Sequence, residues 1–509
     1  MLDFSQVSVY NGNTGKERSR SFAEIPPLME KKTYVTYEDF GAVGDGKTDD
    51  MPAIVHAHEY ANAHSMPVRA RDNATYYIGG QALVATIDTD VDFGEAHFII
   101  DDVELEDITK PIFHVARQTN EFSPVISSLK KGQKHIDFPH EGNVYVRVYN
   151  DNKKIYIREG VNQDDGTAQN DCFLVDAEGN ILTDIDWDYD KITHTVAYSI
   201  DERPLTVRGG IFTTIANRWK PEYAYHKRGF FVDRAHVTLE GIRHYVTGEG
   251  EHGAPYRGFL DATATYDVTV KDCLLTPHFT YWASLSTGMS PMGSYEINAN
   301  ATIGFHMISV RQTIDIMDSR YWGLMGTNFC KDMTLEDCVI SRFDAHMGVT
   351  NVTVRGCTLG HMCFLLIGHG KCLVENTHAF GDALVRMRED YGSFFDGNLT
   401  VKNCTWKPRN NHPVILTACN NETHDFGYEC RMPHTFTIDG LTIEDEHLDN
   451  SYKDIYILPE FDSNFSKDKP FPVVPTKRLI LKNIRTKSGK IPKITKNPSL
   501  YPNLEVIEE

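Results

Sequence analysis

The chain has 509 residues, 41% hydrophobic and 24% charged, which suits a well-cored folded protein and rules out disordered, collagen-like and cysteine-stapled classes. Fifty-one Lys and Arg against 71 Asp and Glu give a formal charge of −20. That sign repels phosphate backbones and anionic lipid, so neither a nucleic-acid partner nor a membrane is expected.

Residues 1–32 read as an N-terminal extension. They lack a basic stretch followed by an apolar one, so the sequence as written points to the cytoplasm, or to export with the signal removed. No run reaches the ~18 apolar residues of a spanning helix.

Residues 33–119 read as a cap and the first coils of a solenoid. Within Glu38–Ala61, Gly41-Ala42-Val43-Gly44-Asp45-Gly46-Lys47-Thr48 satisfies the phosphate-loop spacing G-x-x-x-x-G-K-[ST]. Asp45 inside the loop and Asp49-Asp50 directly after it oppose an anion, and no βαβ pattern follows. The same stretch reads better as a turn entering a capping helix. Asp49 and Asp50 sit at its start, Pro52 in its first turn, and Ala53, Ile54, Ala57 and Ala61 on one stripe. Asp45–Asp49 also departs from a calcium loop, with Lys at its third position and no Glu at its twelfth.

Residues 120–204 alternate in short strands with turn signals at Asn150-Asp151-Asn152 and Glu178-Gly179-Asn180, which predicts an inserted antiparallel β module. It offers a surface for glycan or for oligomer contacts. From 205 to 485 a pattern of apolar-x-apolar-x-(Gly/Asn/Asp) recurs, starting at Leu205, Val237, Val268, Met333, Val352, Cys372, Leu399, Phe436 and Leu479. Such units bury an inner face only by stacking, and steps of 19 residues and upward suit a right-handed parallel β-helix. The 65-residue step from Val268 leaves room for an irregular coil around Ile303–Arg311. Cys273, Cys338, Cys357 and Cys404 share one repeat position and read as an internal ladder of small apolar side chains rather than a metal site. Residues 486–509 read as a polar tail. The fold class is therefore all-β, with no metal or cofactor expected.

DFGAVGDGKTDDMPAI, Asp39–Ile54, closely resembles the N-terminal signature of the pectate-lyase-like and glycoside-hydrolase-family-28-like (polygalacturonase-type) β-helix superfamily. The resemblance implies the fold and, more broadly, polysaccharide hydrolases, lyases, epimerases or tailspike depolymerases; its own residues are structural there. Polygalacturonase-type members carry N-T-D, D-D, G-H-G and R-x-K in that order. Here Gly368-His369-Gly370 matches the third, Arg386-Met387-Arg388 stands where the fourth would be, and Asp318 and Asp344 fall in neither of the first two.

Turns of successive coils lie about 4.8 Å apart, so residues preceding the repeated strands should form a column. That column contains Asp315, Asp318, Arg320, Tyr321 and Trp322, then Arg342, Asp344 and His346. It continues with His369 and with Arg386, Arg388, Glu389, Asp390 and Tyr391. Carboxylates, guanidiniums and rings together suit a carbohydrate groove. Asp318 and Asp344 are the first candidate acid–base pair, Asp315 or Glu389 stand in reserve, and His346 or His369 would orient them. Arg320, Tyr321, Trp322, Arg386, Arg388 and Tyr391 would bind substrate. A second cluster in the Gly-rich loop Tyr245–Arg257, with Glu249, Glu251, His252 and Arg257, joins His278, Tyr281 and Trp282. Three functions remain open: hydrolysis of a poly- or oligosaccharide, elimination or epimerisation at a uronic acid, and glycan binding without catalysis, as in a tailspike-like fibre.

Overall fold

The computed structural model describes residues 32–157, 165–220, 225–250, 253–285, 288–419, 426–449, 454–461 and 473–509. Thirty of its strands form one continuous, essentially parallel sheet that winds as a β-helix with three faces. The first face is the repeat read from the sequence. Leu205 pairs with Val237, Val237 with Val268, and Val268 with Phe305. Met333, Val352, Cys372, Leu399, Phe436 and Leu479 then continue in register. The strand Ile303–Ile308 supplies the irregular coil that the long step required.

Each repeat turns at its fifth residue. Asp272, Asp337, Asn376, Asn403 and Asn483 all have φ between +50° and +54°, and Gly209, Gly241, Gly356 and Gly440 occupy the same left-handed region. Only Gly, Asn and Asp take that conformation at low cost, which explains the restricted alphabet of the position. The four ladder cysteines are buried. Among the described residues no group of His, Cys, Asp and Glu is arranged to hold a metal ion.

Met51–His64 is the one α-helix among the described residues, and it covers the first coil with Ala53, Ile54, Ala57 and Ala61 turned inward. The preceding loop is already filled by its own carboxylates. Val43 N–H and Gly44 N–H donate to Asp50 at 2.7 and 3.2 Å, and Lys47 N–H and Thr48 N–H donate to Asp45 at 2.9 and 2.8 Å. The donors that would cradle a phosphate are occupied, so the loop is a helix entry.

The inserted module is a four-stranded sheet containing Glu121–Phe122, Val144–Ile155, Thr167–Val175 and His194–Ser199. Asp176–Ile181 makes the expected turn, but Asn150-Asp151-Asn152 does not reverse the chain. It bulges within the continuous strand Val144–Ile155, where Asn152 N–H bonds the Asn150 side chain at 3.2 Å and the pairing register shifts. An Asx turn satisfies a bulge as readily as a hairpin, so composition alone did not separate the two. Both faces of the sheet are covered by this chain. Val144, Val146 and Val148 pack under the module's own loops, while Tyr145, Cys172 and Tyr198 pack against Ala235, Ala301 and Ile303 of the β-helix. The segment 486–509 ends in a further strand, Glu505–Glu508, paired in parallel with Arg478–Leu481. Among the described residues no helix is long and apolar enough to cross a membrane.

Candidate active-site groove

The site lies on a second face, whose strands the five-residue pattern does not capture. Down this face Asp261 pairs with Asn298, Asn298 with Gly326, Gly326 with Asp344, Asp344 with Leu365, and Leu365 with Arg386. Strand alternation turns Phe343, Ala345, Phe364, Val385 and Met387 into the core. It therefore turns Arg342, Asp344 and His346 outward from one strand, and Arg386 and Arg388 outward from a strand two coils on.

Above this face is a cavity of about 790 Å³. Its walls carry the rings of Tyr225, Tyr256, Tyr295 and Trp322, the cations Lys227, Arg257, Arg342, Arg386 and Arg388, the carboxylates Glu389 and Asp390, and His346. A second cavity of about 310 Å³ contains Trp282, Tyr321, His361, Asp382 and Arg409, and shares Pro291, Trp322, Met362 and Arg386 with the first. The two form one groove, in the size range of ligand pockets.

Asp344 organises the floor. Its side chain is fully buried, and Arg388 Nη1 donates to both carboxylate oxygens at 2.6 and 2.8 Å. Arg342 Nη2 and the Tyr295 hydroxyl donate to Oδ2. Burial alone would raise the Asp344 pKa, but the two guanidiniums outweigh it and hold the carboxyl far below the usual range. It is a permanent anion that fixes two arginines. Arg342 is sandwiched further, its guanidinium 4.3 Å from the Trp322 ring. Glycine makes the room: a Cβ on Gly326 would lie 2.5 Å from the Tyr295 ring, and one on Gly293 2.2 Å from Trp322.

Glu389 and Asp390 occupy the short turn Glu389–Tyr391, whose stop at Gly392 (φ +76°) needs the left-handed region. Glu389 pairs with Arg386 at 2.7 Å and Asp390 with Arg388 at 2.6 Å, with the Cys419 thiol 2.9 Å from Glu389. Both carboxylates keep solvent access, 45% and 38% of their side-chain surface. His346 Nδ1 lies 2.9 Å from Asn328 Oδ1, and its ring stands edge-on to Tyr391, which is buried beneath Arg388.

The sequence candidates therefore divide. Trp322, Arg386, Arg388, Glu389 and His346 line the larger cavity, and Tyr321 and Trp282 the smaller one. Asp344 and Tyr391 lie beneath the floor. Asp318 lines neither cavity: it closes a surface turn with Asp315 and is clamped by Arg320, at 2.6 Å to Nη2, which lowers its pKa. Arg320 and Asp315 share that turn and stay outside the groove. His369 is also elsewhere, buried with its ring 4.6 Å from Trp187 of the inserted module and 5.0 Å from Phe394. Burial pulls its pKa down to about 4 and keeps it neutral. His252 and Glu251 lie outside the described residues.

In the second cluster Glu249 and His278 do meet, as members of a buried chain. His244 Nδ1 is 2.6 Å from Glu296, Glu296 2.9 Å from His278 Nε2, and His278 Nδ1 2.7 Å from Glu249. Burial opposes the charge on His278, yet Glu249 and Glu296 carry its pKa up to about 10. His278 stacks on Tyr256, so this chain backs one wall of the groove, and Tyr256 and Arg257 are loop residues that face it. Tyr295, Lys227, Asn298 and Asn300 line the groove and were not singled out in the sequence. The alternation in Glu296-Ile-Asn298-Ala-Asn300 matches that of Arg342-Phe-Asp344-Ala-His346 and was the available signal.

No family model matches the chain, and no curated protein sequence matches it. Among solved structures, it is similar to the tailspike gp61 of Pseudomonas phage phi297, 12% identical at a TM-score of 0.52, covering 89% of this chain and 80% of that one. The tailspike protein gp49 from Pseudomonas phage LKA1 is similar at 12% identity and a TM-score of 0.52, covering 93% and 84%. An exopolygalacturonase from Thermotoga maritima lies further off, 11% identical at a TM-score of 0.35, covering 84% and 91%. At such identities the tailspike likenesses establish the β-helix fold alone.

Proposed function

We propose that this chain is a carbohydrate-active enzyme that binds a poly- or oligosaccharide in the groove and cleaves it by acid–base hydrolysis. The observation that carries this reading is the larger cavity itself, where aromatic rings and two solvent-reached, arginine-paired carboxylates, Glu389 and Asp390, converge. Rings offer flat apolar faces to sugar rings, and carboxyl groups supply and accept the proton that glycosidic cleavage needs. Asp344 takes no proton-transfer part in this scheme, because a carboxyl held anionic by two guanidiniums is a poor donor. It positions Arg342 and Arg388 instead. Of the polygalacturonase-type resemblance, the Arg386-Met387-Arg388 segment reaches the groove and His369 does not, so hydrolysis here would run without that histidine.

A second reading is elimination or epimerisation at a uronic acid. It is favoured by the five cations that line the cavity of a chain carrying −20 overall. The arginines would neutralise the sugar carboxylate and His346 would abstract the proton. Incubating the purified protein with a panel of neutral and acidic polysaccharides, while following reducing ends and ultraviolet absorbance together, separates the two. New reducing ends without absorbance support hydrolysis, and absorbance from an unsaturated product supports elimination. Glu389→Gln and Asp390→Asn should each lower hydrolytic turnover by about 10²-fold or more while retaining binding. Wild-type turnover in both variants would sink the assignment.

A further inference from the structure

The smaller cavity differs in character from its neighbour. Among the described residues that line it, only Arg386 and Arg409 bring positive charge, against Asp382, whereas the larger cavity gathers five cations. Its distinctive walls are rings. Trp282 is 59% exposed and lines this cavity. Tyr321 is held in place from behind, stacked on Phe279 at 4.4 Å and 22°, by the bridge between Phe279 and Tyr321 and by Thr280 N–H donating to Arg320 O at 2.8 Å. The backbone N–H of Trp322 donates to His278 O at 2.9 Å and anchors the residue whose ring lines both cavities. His361 completes the wall. Burial lowers its pKa, and its backbone carbonyl accepts from Arg409 Nη1 at 3.2 Å.

We infer that the smaller cavity is a separate saccharide subsite, contiguous with the larger one, which takes the next sugar unit of the chain by stacking on Trp282 and Tyr321. This rests on the reading that the groove holds a glycan. The uncharged rings accept a sugar through its apolar face whatever its substituents, while the cation-rich cavity discriminates. Occupying both cavities needs at least two linked units, so the small cavity sets the minimum length of chain bound tightly. Preformed, backed rings give affinity with little ordering cost.

The test uses the full chain and size-graded ladders of oligogalacturonate, oligomannuronate and cello-oligosaccharides, from monosaccharide to hexasaccharide. Binding is measured by titration calorimetry on wild type, Trp282→Ala, Tyr321→Ala and Tyr321→Phe. Wild type should show a step in affinity at the length that first reaches the small cavity. Trp282→Ala and Tyr321→Ala should each reduce that step by about tenfold while leaving shorter ligands unchanged, and Tyr321→Phe should keep it. A step that survives both alanine changes, or a loss uniform over all lengths, would overturn the subsite while leaving the glycan reading intact. Absence of binding by wild type at every length in all three ladders would overturn both. Unchanged melting of the variants checks that a lost step reports on the cavity rather than on folding.

Discussion

Two buried ion clusters on neighbouring outward rows of the β-helix use the same side-chain chemistry for opposite ends. In the groove floor Asp344 holds Arg342 and Arg388, a pair of cations on one anion. Behind the inserted module Lys331 lies 2.6 Å from Asp171 and 3.3 Å from Asp186, a pair of anions on one cation. Lys331 belongs to the β-helix strand Met325–Glu336 and both aspartates to the module. The second cluster is largely buried, with 13% of the Asp186 side chain exposed, and welds the insertion to the solenoid. The first opens through its arginines onto a cavity. Placement is the lesson: two carboxyl groups are shut away on one lysine, while the five cations lining the larger cavity, against Glu389, Asp390 and the Asp344 beneath them, are presented where a ligand would meet them.

The sharpest way to break that comparison is to remove the central charge from each. Asp344→Ala leaves two buried guanidiniums facing each other, and arginine does not lose its proton to relieve the strain. The loss of stability should reach about 3–5 kcal/mol in denaturant titration, with ligand binding lost alongside. Lys331→Met leaves the Asp171 carboxyl without its cation, and Asp171 can escape by protonation. Burial already pushes Asp171 up to about 7. Its cost should be nearer 1–3 kcal/mol, and it should shrink as the pH falls, because the folded variant binds protons that the unfolded chain does not. Equal, pH-independent losses in the two variants would end the distinction.

The same contrast accounts for what the sequence made legible. The first face repeats L-x-V-x-G because every coil meets the same surroundings there, so its register was readable residue by residue, including the left-handed turn at Asn376 and Asn403. The groove face has no such pattern. Its outward positions are filled by Asn298, Gly326, Asp344 and Arg386 according to what stands above them. Residue types put Arg386, Arg388 and Trp322 in one candidate column, and all three line the larger cavity. The types gave no sign that Asp344 is roofed by arginines, that Asp318 spends its charge on Arg320, or that Trp187, 182 positions before His369, covers that histidine. The Arg388 contact with Asp344 and the Trp187 contact with His369 run between coils or with the insertion and leave no local trace in spacing. Arg320 stands two residues from Asp318 in one turn, where residue type alone does not say whether a carboxylate is clamped or free.

The chain of His278, Glu249 and Glu296 gives a subtler handle, since its charges balance through shared hydrogen bonds rather than through an excess. Glu296 is held down to about 2 against an ordinary 4.5, despite full burial, by His244 and His278. Its contribution is therefore present above pH 4.5 and lost as the pH falls from there through 2. His278, raised from 6.5 to about 10, contributes fully below 6.5 and loses that contribution as the pH rises through 10. Stability from this network should accordingly plateau between pH 4.5 and 6.5 and decline on both sides. Urea midpoints across pH, compared with those of His278→Gln, should show the alkaline slope disappearing in the variant. A slope unchanged by the substitution would mean that the titration lies elsewhere.

The smallest effect is expected where the charges are most numerous. The fourth repeat position forms an exposed ladder of alternating sign, Glu336, Arg355, Glu375, Lys402, Asp439 and Lys482, each in register with the next. Arg355 reaches Glu336 at 2.8 Å and Glu375 at 3.2 Å, distances close to those inside the groove floor, yet its side chain is 48% exposed. Water and salt screen such pairs, and ordering the long side chains offsets the attraction. Arg355→Ala should shift the urea midpoint barely beyond error at low salt and not at all at ~1 M, where the screening length falls to about 3 Å. Arg355→Glu, which sets three carboxylates in succession along the ladder, should show a measurable loss at low salt that disappears at the same ~1 M. Asp344→Ala should keep most of its cost at both, because the pairing it removes is fully buried and salt does not screen it in the wild type. Salt thus separates the ladder, which is geometry without burial, from the floor, where burial makes the same geometry decisive.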